Sequence, residues 1–138
     1  MMTFEELEHT ADVRMKITAP SLLDLFVESG FALAEILYGE YQKEPETISF
    51  PIEAKGNEVV ESIVNFLSEL LFLTETEYLV PVSFDLAAEG CVVSGVVAGV
   101  LFDRTKHTGG IEVKGISYSG ISLAKTAAGY ELIIIFDI

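Results

Sequence analysis

The stretch NEVVESIVNFLSELLFLTET at positions 57–76 decides the fold, because its apolar side chains repeat with the period of an α-helix. The apolar face is about half the helix circumference wide and consists of Val59, Val60, Ile63, Val64, Phe66, Leu67, Leu70, Leu71 and Leu73. Glu58, Glu61, Asn65 and Glu69 lie opposite. A face of this width is typical of a helix pressed into a sheet, and Asn57 after Gly56 is the predicted N-cap.

A second helix is predicted over residues 21–38, which read SLLDLFVESGFALAEILY. Its apolar stripe consists of Leu22, Phe26, Leu33 and Leu37. Ser21 and Asp24 have the spacing of a capping box and follow a proline, which is a typical helix start.

The hydrophobic period changes to two outside these helices. Val13, Met15 and Ile17 alternate with polar residues, as do Ile48, Phe50 and Ile52. Further strands are predicted at about 79–88, 91–102, 110–118 and 130–137, with turns at AEG, HTGG and AAG. The order predicts one α+β domain over residues 1–138, with two layers: a largely antiparallel or mixed β-sheet and two long helices packed on one of its faces.

Composition limits the partners and the compartment. The 138 residues are 50% hydrophobic, which suffices for one core, and 22 acids against 8 bases give a net charge of −14. Such a chain is unsuited to binding nucleic acid over a broad surface, whereas a basic protein or a cation suits it. Cys91 is the only cysteine, which excludes an intramolecular disulfide and a cysteine-based zinc site. Without a signal-like start or a membrane-length apolar run, we expect a cytoplasmic protein with no membrane contact.

The acidic residues are unevenly distributed. Residues 56–102 contain no lysine or arginine but seven acids, namely Glu58, Glu61, Glu69, Glu75, Glu77, Asp85 and Glu89. A solvated surface explains this pattern most simply. The alternative interpretation is an acidic docking surface for a basic partner.

The two histidines lie in different contexts. His107 in DRTKHTGG is expected to be a solvated turn residue. His9 and Asp12 flank the start of the first strand in EHTADV, where their side chains would converge at one sheet edge. The alternative is that Thr10 and Asp12 only bond local backbone in a turn.

The last residues, YELIIIFDI at 130–138, form a strand pattern in which Asp137 ends an otherwise apolar row. A carboxylate in that position needs solvent, a hydrogen bond or a cation. The α-carboxylate of Ile138 lies next to it, and Asp12 would approach from another strand end. Three anionic oxygen ligands suit a hard divalent cation, above all Ca²⁺. The chain lacks a phosphate-binding glycine loop, a G-x-S-x-G motif and a metalloprotease helix.

Two segments together resemble the archease family, small proteins that assist the RtcB-type tRNA-splicing RNA ligase. The family has a His-Thr-Ala-Asp opening, a Lys-x-x-Ser/Thr-Tyr block and a final Asp-Ile. These correspond to 9–12 in LEHTADVRM, to 114–119 in IEVKGISYSGISLAKT, and to Asp137 and Ile138. Many members have His after the Tyr, where this chain has Ser119. The resemblance covers essentially the whole chain.

The resemblance implies an α+β fold and a divalent cation, commonly Ca²⁺, held by Asp12, Asp137 and Ile138. It also implies a non-enzymatic activator without catalytic residues, which promotes GTP-dependent guanylylation of the ligase, allows multiple turnovers and broadens its nucleotide use. RNA and GTP would then be met only through the ligase. His9, Lys114 and Ser119 are candidate contacts to the ligase or to phosphate, with Lys114 as a mobile positive charge.

Two other classes of function remain open. A general chaperone or interaction module would use the acidic surface and would not depend on Asp12 or Asp137. A metal-dependent phosphoesterase would use His9, Asp12 and Asp137 around a catalytic cation, but the scarcity of bases makes it the least favoured.

Overall fold

Helix α1 spans Leu22–Tyr38 in the computed structural model, which describes residues 12–138. Its start is as predicted, because the Ser21 hydroxyl accepts a hydrogen bond of 3.1 Å from the Asp24 backbone N–H. It ends at Gly39, whose φ of 73° belongs to the left-handed region that glycine enters without a steric cost. Phe26 and Leu33 of the predicted apolar stripe are buried, Leu22 and Leu37 are half-buried, and Leu25 is also fully inaccessible.

Helix α2 spans Val59–Thr76 and buries the wide apolar face read from the sequence. The prediction of Asn57 as its N-cap is wrong. Glu58 holds the cap position and makes no side-chain cap bond. The Asn57 backbone N–H instead donates to the Glu61 carboxylate at 2.5 Å, so a side chain from the first turn reaches back to the entering chain.

The six strands are β1 (Asp12–Ala19), β2 (Ile48–Lys55), β3 (Leu79–Glu89), β4 (Val92–Leu101), β5 (Gly115–Thr126) and β6 (Gly129–Asp137). They form two three-stranded antiparallel sheets, with the orders β1-β6-β5 and β2-β4-β3. The α+β class is confirmed. The alternation of residues predicts which face of a strand is buried, but it does not specify which strands are neighbours.

The main core joins both sheets to both helices. Phe66 of α2 packs edge-on against Phe26 of α1 and also contacts Phe84 of β3. Leu132, Ile134 and Phe136 of β6 are fully buried in the same cluster. Burying a side chain of this size stabilises the fold by about 1.5–3 kcal/mol each.

The fifth strand differs from its prediction at 110–118, because its first predicted residues lie beside a helix end and outside the strand. The backbone N–H groups of Gly109 and Ile111 donate to the carbonyl oxygens of Tyr38 and Ile36. Strand β5 therefore begins at Gly115, and its register with β6 is broken by a bulge between Ser117 and Ser122.

Within residues 12–138, neither helix combines the length and the apolar content needed to cross a bilayer.

Candidate metal centre

Asp12 and Asp137 are direct partners in the antiparallel ladder of β1 and β6. Directly opposite residues point to the same face and have Cα atoms about 4.5–5.5 Å apart. Leu132, Ile134 and Phe136 occupy the buried face of β6, so Asp137 lies on the outer face with Asp12. The convergence predicted from the two ends of the sequence is therefore present as a pair of neighbouring carboxylates.

Neither carboxylate forms an ion pair with a base in the part of the chain that is described. The ion pairs among residues 12–138 are Lys16 with Glu131 and Lys106 with Glu44. Like charges directly opposite each other destabilise a ladder, so a bound cation would relieve a repulsion that the fold itself leaves in place. Two carboxylate side chains supply oxygen ligands of the kind that Ca²⁺ and Mg²⁺ prefer.

The third strand of this sheet leaves the Asp137 side chain accessible. Gly115 is the partner of Asp137 on β5, and a Cβ placed at Gly115 would be 4.0 Å from Oδ2 of Asp137. The position therefore contributes no side chain beside the carboxylate. Just before it, the Lys114 backbone N–H donates to the Asp137 carbonyl oxygen at 2.7 Å, which fixes the end of β6 against the start of β5.

Lys114 has an exposed side chain and precedes Gly115, the partner of Asp137 on β5. Its backbone is fixed by the bond to Asp137, while its ammonium group is carried on a flexible stem. Such a charge suits a phosphate or a carboxylate on an incoming partner, as the sequence prediction supposed.

Ile138 is anchored by its side chain, which packs against the main core. Since successive side chains of an extended chain point to opposite faces, this packing is consistent with Asp137 facing outward. Among residues 12–138, histidine, cysteine, aspartate and glutamate form no group of three suited to a metal ion, so Asp12 and Asp137 need further ligands, such as backbone oxygens or water.

Ser119 is not held in the ladder beside the carboxylates. It lies in the bulge of β5, is exposed, and its backbone N–H donates to the Ser117 hydroxyl at 3.1 Å. Ser117 is the residue that the ladder places on the outer face, opposite Ile135 and two positions from Gly115. The sequence prediction missed it, although counting alternate residues from Gly115 finds it. His9 lies outside the described residues.

The prediction that His107 is a solvated turn residue is wrong. Its ring is 2% exposed and belongs to an aromatic cluster with Tyr38, Tyr41 and Phe102, whose ring centroids lie 5.7–6.0 Å from it. The Asp103 backbone N–H donates to His107 Nδ1 at 2.9 Å, so the neutral ring carries its proton on Nε2. Burial lowers the pKa of His107 below its ordinary value, although Asp103 and Glu44 oppose that shift.

The tyrosines of the aromatic cluster are tied to β3. The Tyr38 hydroxyl donates to the Leu79 carbonyl oxygen at 3.0 Å, and the Tyr41 hydroxyl donates to that of Pro81 at 2.6 Å. Burial raises the pKa of Tyr38 to about 12, with a small opposing effect from Thr74. These hydroxyls therefore stay protonated and act as hydrogen-bond donors.

An α+β domain of two antiparallel three-stranded sheets, with a carboxylate pair where its first and last strands meet, defines the class of this protein. Residues 4–138 match the model of the archease protein family. The chain belongs to the archease family.

Individual relatives agree with this assignment. An archease-like protein of Drosophila melanogaster is 35% identical, covering 99% of this chain and 91% of its own length. An archease of Methanopyrus kandleri is 32% identical, covering 90% of this chain and 91% of its own.

Two solved structures share the fold. A solution structure of a Methanobacterium thermoautotrophicum protein gives a TM-score of 0.72 at 19% identity, covering 94% of each chain. A crystal structure of a Thermotoga maritima archease, described as a possible chaperone, gives a TM-score of 0.66 at 19% identity and covers 94% of this chain and 93% of its own.

Proposed function

We propose that this protein is a non-enzymatic activator of an RtcB-type tRNA-splicing RNA ligase, acting through a divalent cation held by Asp12 and Asp137. Membership of the archease family supports the class of protein. The observation that carries the proposal is the direct pairing of these two residues on the outer face of the β1–β6 ladder.

The proposed ligand set is the side chains of Asp12 and Asp137 and the α-carboxylate of Ile138, with Ca²⁺ as the preferred ion. Oxygen ligands in an irregular arrangement are tolerated by Ca²⁺ better than by Mg²⁺, which demands near-octahedral geometry. The bound ion would supply positive charge at the meeting point of two strand ends. Asp12 and Asp137 hold that charge in place, and the exposed Lys114 beside them contacts the ligase or a phosphate of its nucleotide.

On this proposal, the nucleotide chemistry belongs to the ligase. The activator favours guanylylation of the ligase by GTP, allows repeated turnover and broadens the choice of nucleotide. RNA and nucleotide are reached through the ligase, and the net charge of −14 is consistent with this because it disfavours broad RNA binding by the protein alone.

The test is stimulation of the cognate ligase by sub-stoichiometric protein, measured as ligase guanylylation and as joined RNA over many turnovers. We expect the Asp12→Asn and Asp137→Asn variants to lose stimulation. The matched control is Asp85→Asn, the same chemical change at an exposed aspartate on β3 of the other sheet. Absence of stimulation by the Ca²⁺-loaded protein would overturn the proposal.

Cation binding is measured separately by calorimetry on the protein alone. Because loss of a residue that only supports a metal ligand typically lowers affinity by about 10–100-fold, loss of a ligand itself is expected to cost at least about tenfold. We expect that loss for Asp12→Asn and Asp137→Asn and not for Asp85→Asn. Equal cation affinities in all variants would show that these carboxylates are not ligands. The ligase-activation assay would then be decided independently.

A general chaperone is the second candidate, favoured by the exposed Tyr78 and Leu101 and by the description of the Thermotoga relative. It predicts suppression of aggregation of unrelated proteins, with equal effect after Asp12→Asn. A metal-dependent phosphoesterase predicts turnover of RNA or nucleotide by the protein alone. Absence of turnover with Ca²⁺, Mg²⁺ and Mn²⁺ would exclude the phosphoesterase.

A further inference from the structure

The C-terminal ends of both helices meet at one end of the molecule. Tyr38, the last residue of α1, donates its hydroxyl to the carbonyl oxygen of Leu79, three residues after the end of α2. Thr74 in the last turn of α2 lowers the pKa of the same hydroxyl by a side-chain hydrogen bond. Since a helix carries partial negative charge at its C-terminal end, two such charges are brought together here.

Acidic residues add to this negative charge. Neither helix has a basic residue in its last turn. Glu35 and Glu75 are exposed in the last turns of α1 and α2, and Glu40 and Glu77 follow the two ends. Carboxylates in these positions oppose the helix dipole, so helix stability alone does not explain them.

The nearby bases of the described chain only partly compensate this charge. Lys43 lies over the Phe31 ring at 3.7 Å, and Lys106 forms an ion pair with Glu44 at 2.9 Å. Arg104 is exposed and has no ion-pair partner among residues 12–138. The helix ends therefore remain an acidic region with a single adjacent arginine.

Apolar side chains are exposed in the same region. Tyr78 is 63% exposed, Leu101 56% and Phe102 37%. The Phe102 backbone N–H donates to the Tyr78 carbonyl oxygen at 2.8 Å, and Leu101 is the ladder partner of Leu79. These three side chains are thus carried by adjacent backbone, and with Glu75 and Glu77 we name them the helix-end surface.

Tyr78 is held in a backbone conformation that does not favour it. Its φ is 58°, and among residues 12–138 it is the only residue other than glycine with positive φ. The position follows the end of α2, where glycine is the usual residue because a side chain is strained there. Glycine at position 78 would therefore make the folded protein more stable than the exposed tyrosine does.

We propose that the helix-end surface is a docking site for a protein segment that carries arginine beside apolar side chains. Apolar side chains of the partner cover Leu101 and Phe102, and its guanidinium groups stack on Tyr78 and pair with Glu75 and Glu77. The carboxylates and helix ends disfavour nucleic acid, whose phosphates would be repelled. This inference does not depend on the metal centre or on the identity of a ligase.

The test uses a short synthetic peptide of alternating arginine and leucine, with a peptide of glutamate and leucine as its charge-reversed counterpart. Binding to the ¹⁵N-labelled full chain is followed by amide chemical shifts. We expect the arginine peptide to shift the amides of Tyr78, Leu101 and Phe102, with an affinity that falls as salt is raised. The glutamate peptide should leave these amides unchanged.

Two variants and one control locate the binding. Tyr78→Gly removes the exposed ring from a position that accepts glycine, and Glu75→Gln combined with Glu77→Gln removes the charges. We expect each variant to bind the arginine peptide at least about tenfold more weakly, which is the effect of losing an interface anchor. The control combines Glu53→Gln with Asp85→Asn, which neutralises two exposed carboxylates on the sheet β2-β4-β3, and should bind like the unaltered protein.

Any of three results would overturn the proposal. The first is a set of shifted amides away from the helix-end surface, and the second is unchanged affinity of Tyr78→Gly for the arginine peptide. The third is equal binding of both peptides, because charge complementarity would then have no part.

Discussion

Asp12 and Asp137 are opposed on the same two strands that place Lys16 within 3.6 Å of the Glu131 carboxylate. One part of this ladder therefore joins opposite charges, whereas its end juxtaposes like charges. Both pairs are on the outer face, so solvent is available to each. The contrast indicates that the carboxylate pair is not explained by the stability of the sheet alone.

The substitution Asp12→Lys is expected to exchange this repulsion for a cross-strand ion pair with Asp137. Because the pair is solvent-exposed, the free energy of unfolding should rise by only about 0.5–1 kcal/mol in the presence of a chelator. Urea unfolding measures the change, and high salt should reduce it. A matching gain for Asp85→Lys, which has no opposed carboxylate on β4, would show that net charge and not pairing is responsible.

Addition of Ca²⁺ is expected to stabilise the unaltered protein, because an ion that binds only the native state shifts the unfolding equilibrium. At a free concentration of 100 times the Kd, the gain is about 2.7 kcal/mol. Thermal unfolding with Ca²⁺ and with chelator measures the difference, which the weaker binding of Asp12→Asn should cut to about half or less at the same Ca²⁺ concentration. An equal gain in Asp12→Asn would place the bound ion elsewhere.

A short Gly-Ser tail after Ile138 tests the third proposed ligand. The Ile138 side chain still packs against the core, so stability in chelator should change by less than about 0.5 kcal/mol. The α-carboxylate is moved away, so Ca²⁺ affinity and ligase stimulation should both fall. A tailed protein that binds Ca²⁺ with unchanged affinity would exclude this carboxylate from the site.

Much of this geometry is predictable from local sequence pattern. Both helices follow from the spacing of apolar residues, and Ser21 caps α1 as its spacing with Asp24 indicates. The meeting of Asp12 and Asp137 was predictable as a convergence of strand ends. Their direct opposition was not, because the alternation of each strand leaves the pairing register undetermined.

Two of the failures share one physical cause, which is contact between residues far apart in the chain. His107 lies in a polar stretch, and its burial depends on Tyr38 and Tyr41, which the local sequence does not show. Residues 110–114 read as a strand, but the Ile111 backbone N–H bonds to Ile36 of α1. The error at Asn57 is local, because helix α2 begins one residue later than expected and Glu58 holds the cap position.

The burial of His107 makes stability depend on pH. Its pKa is lowered in the native state, first by desolvation, so the unfolded chain binds the proton more readily. The contribution of neutral His107 to the free energy of unfolding is fully present above the ordinary pKa of 6.5 and is lost as pH falls through the lowered native pKa. Protonation of Nδ1 would also break its hydrogen bond from the Asp103 N–H.

Urea unfolding between pH 5 and 8 measures this effect in the protein and in His107→Asn. The asparagine side-chain oxygen can accept the Asp103 N–H but does not titrate. We expect the variant to be less stable at pH 8, by about 1–3 kcal/mol for the lost ring, and to show a smaller decline below pH 6.5. Parallel stability curves would show that other groups cause the decline.

The substitution Tyr78→Gly is expected to stabilise the protein while weakening the docking proposed above. A side chain in the left-handed region costs roughly 1–2 kcal/mol, whereas glycine avoids that cost but gives the unfolded chain about 0.5–1 kcal/mol of additional freedom. The net gain is about 0.5–1 kcal/mol, since a ring that is 63% exposed contributes little packing. Tyr78→Ala is the matched control, because it removes the ring and keeps the strained backbone. Glycine less stable than alanine in urea unfolding would show that the added freedom of the unfolded chain, and not the strain of the folded backbone, governs stability at this position.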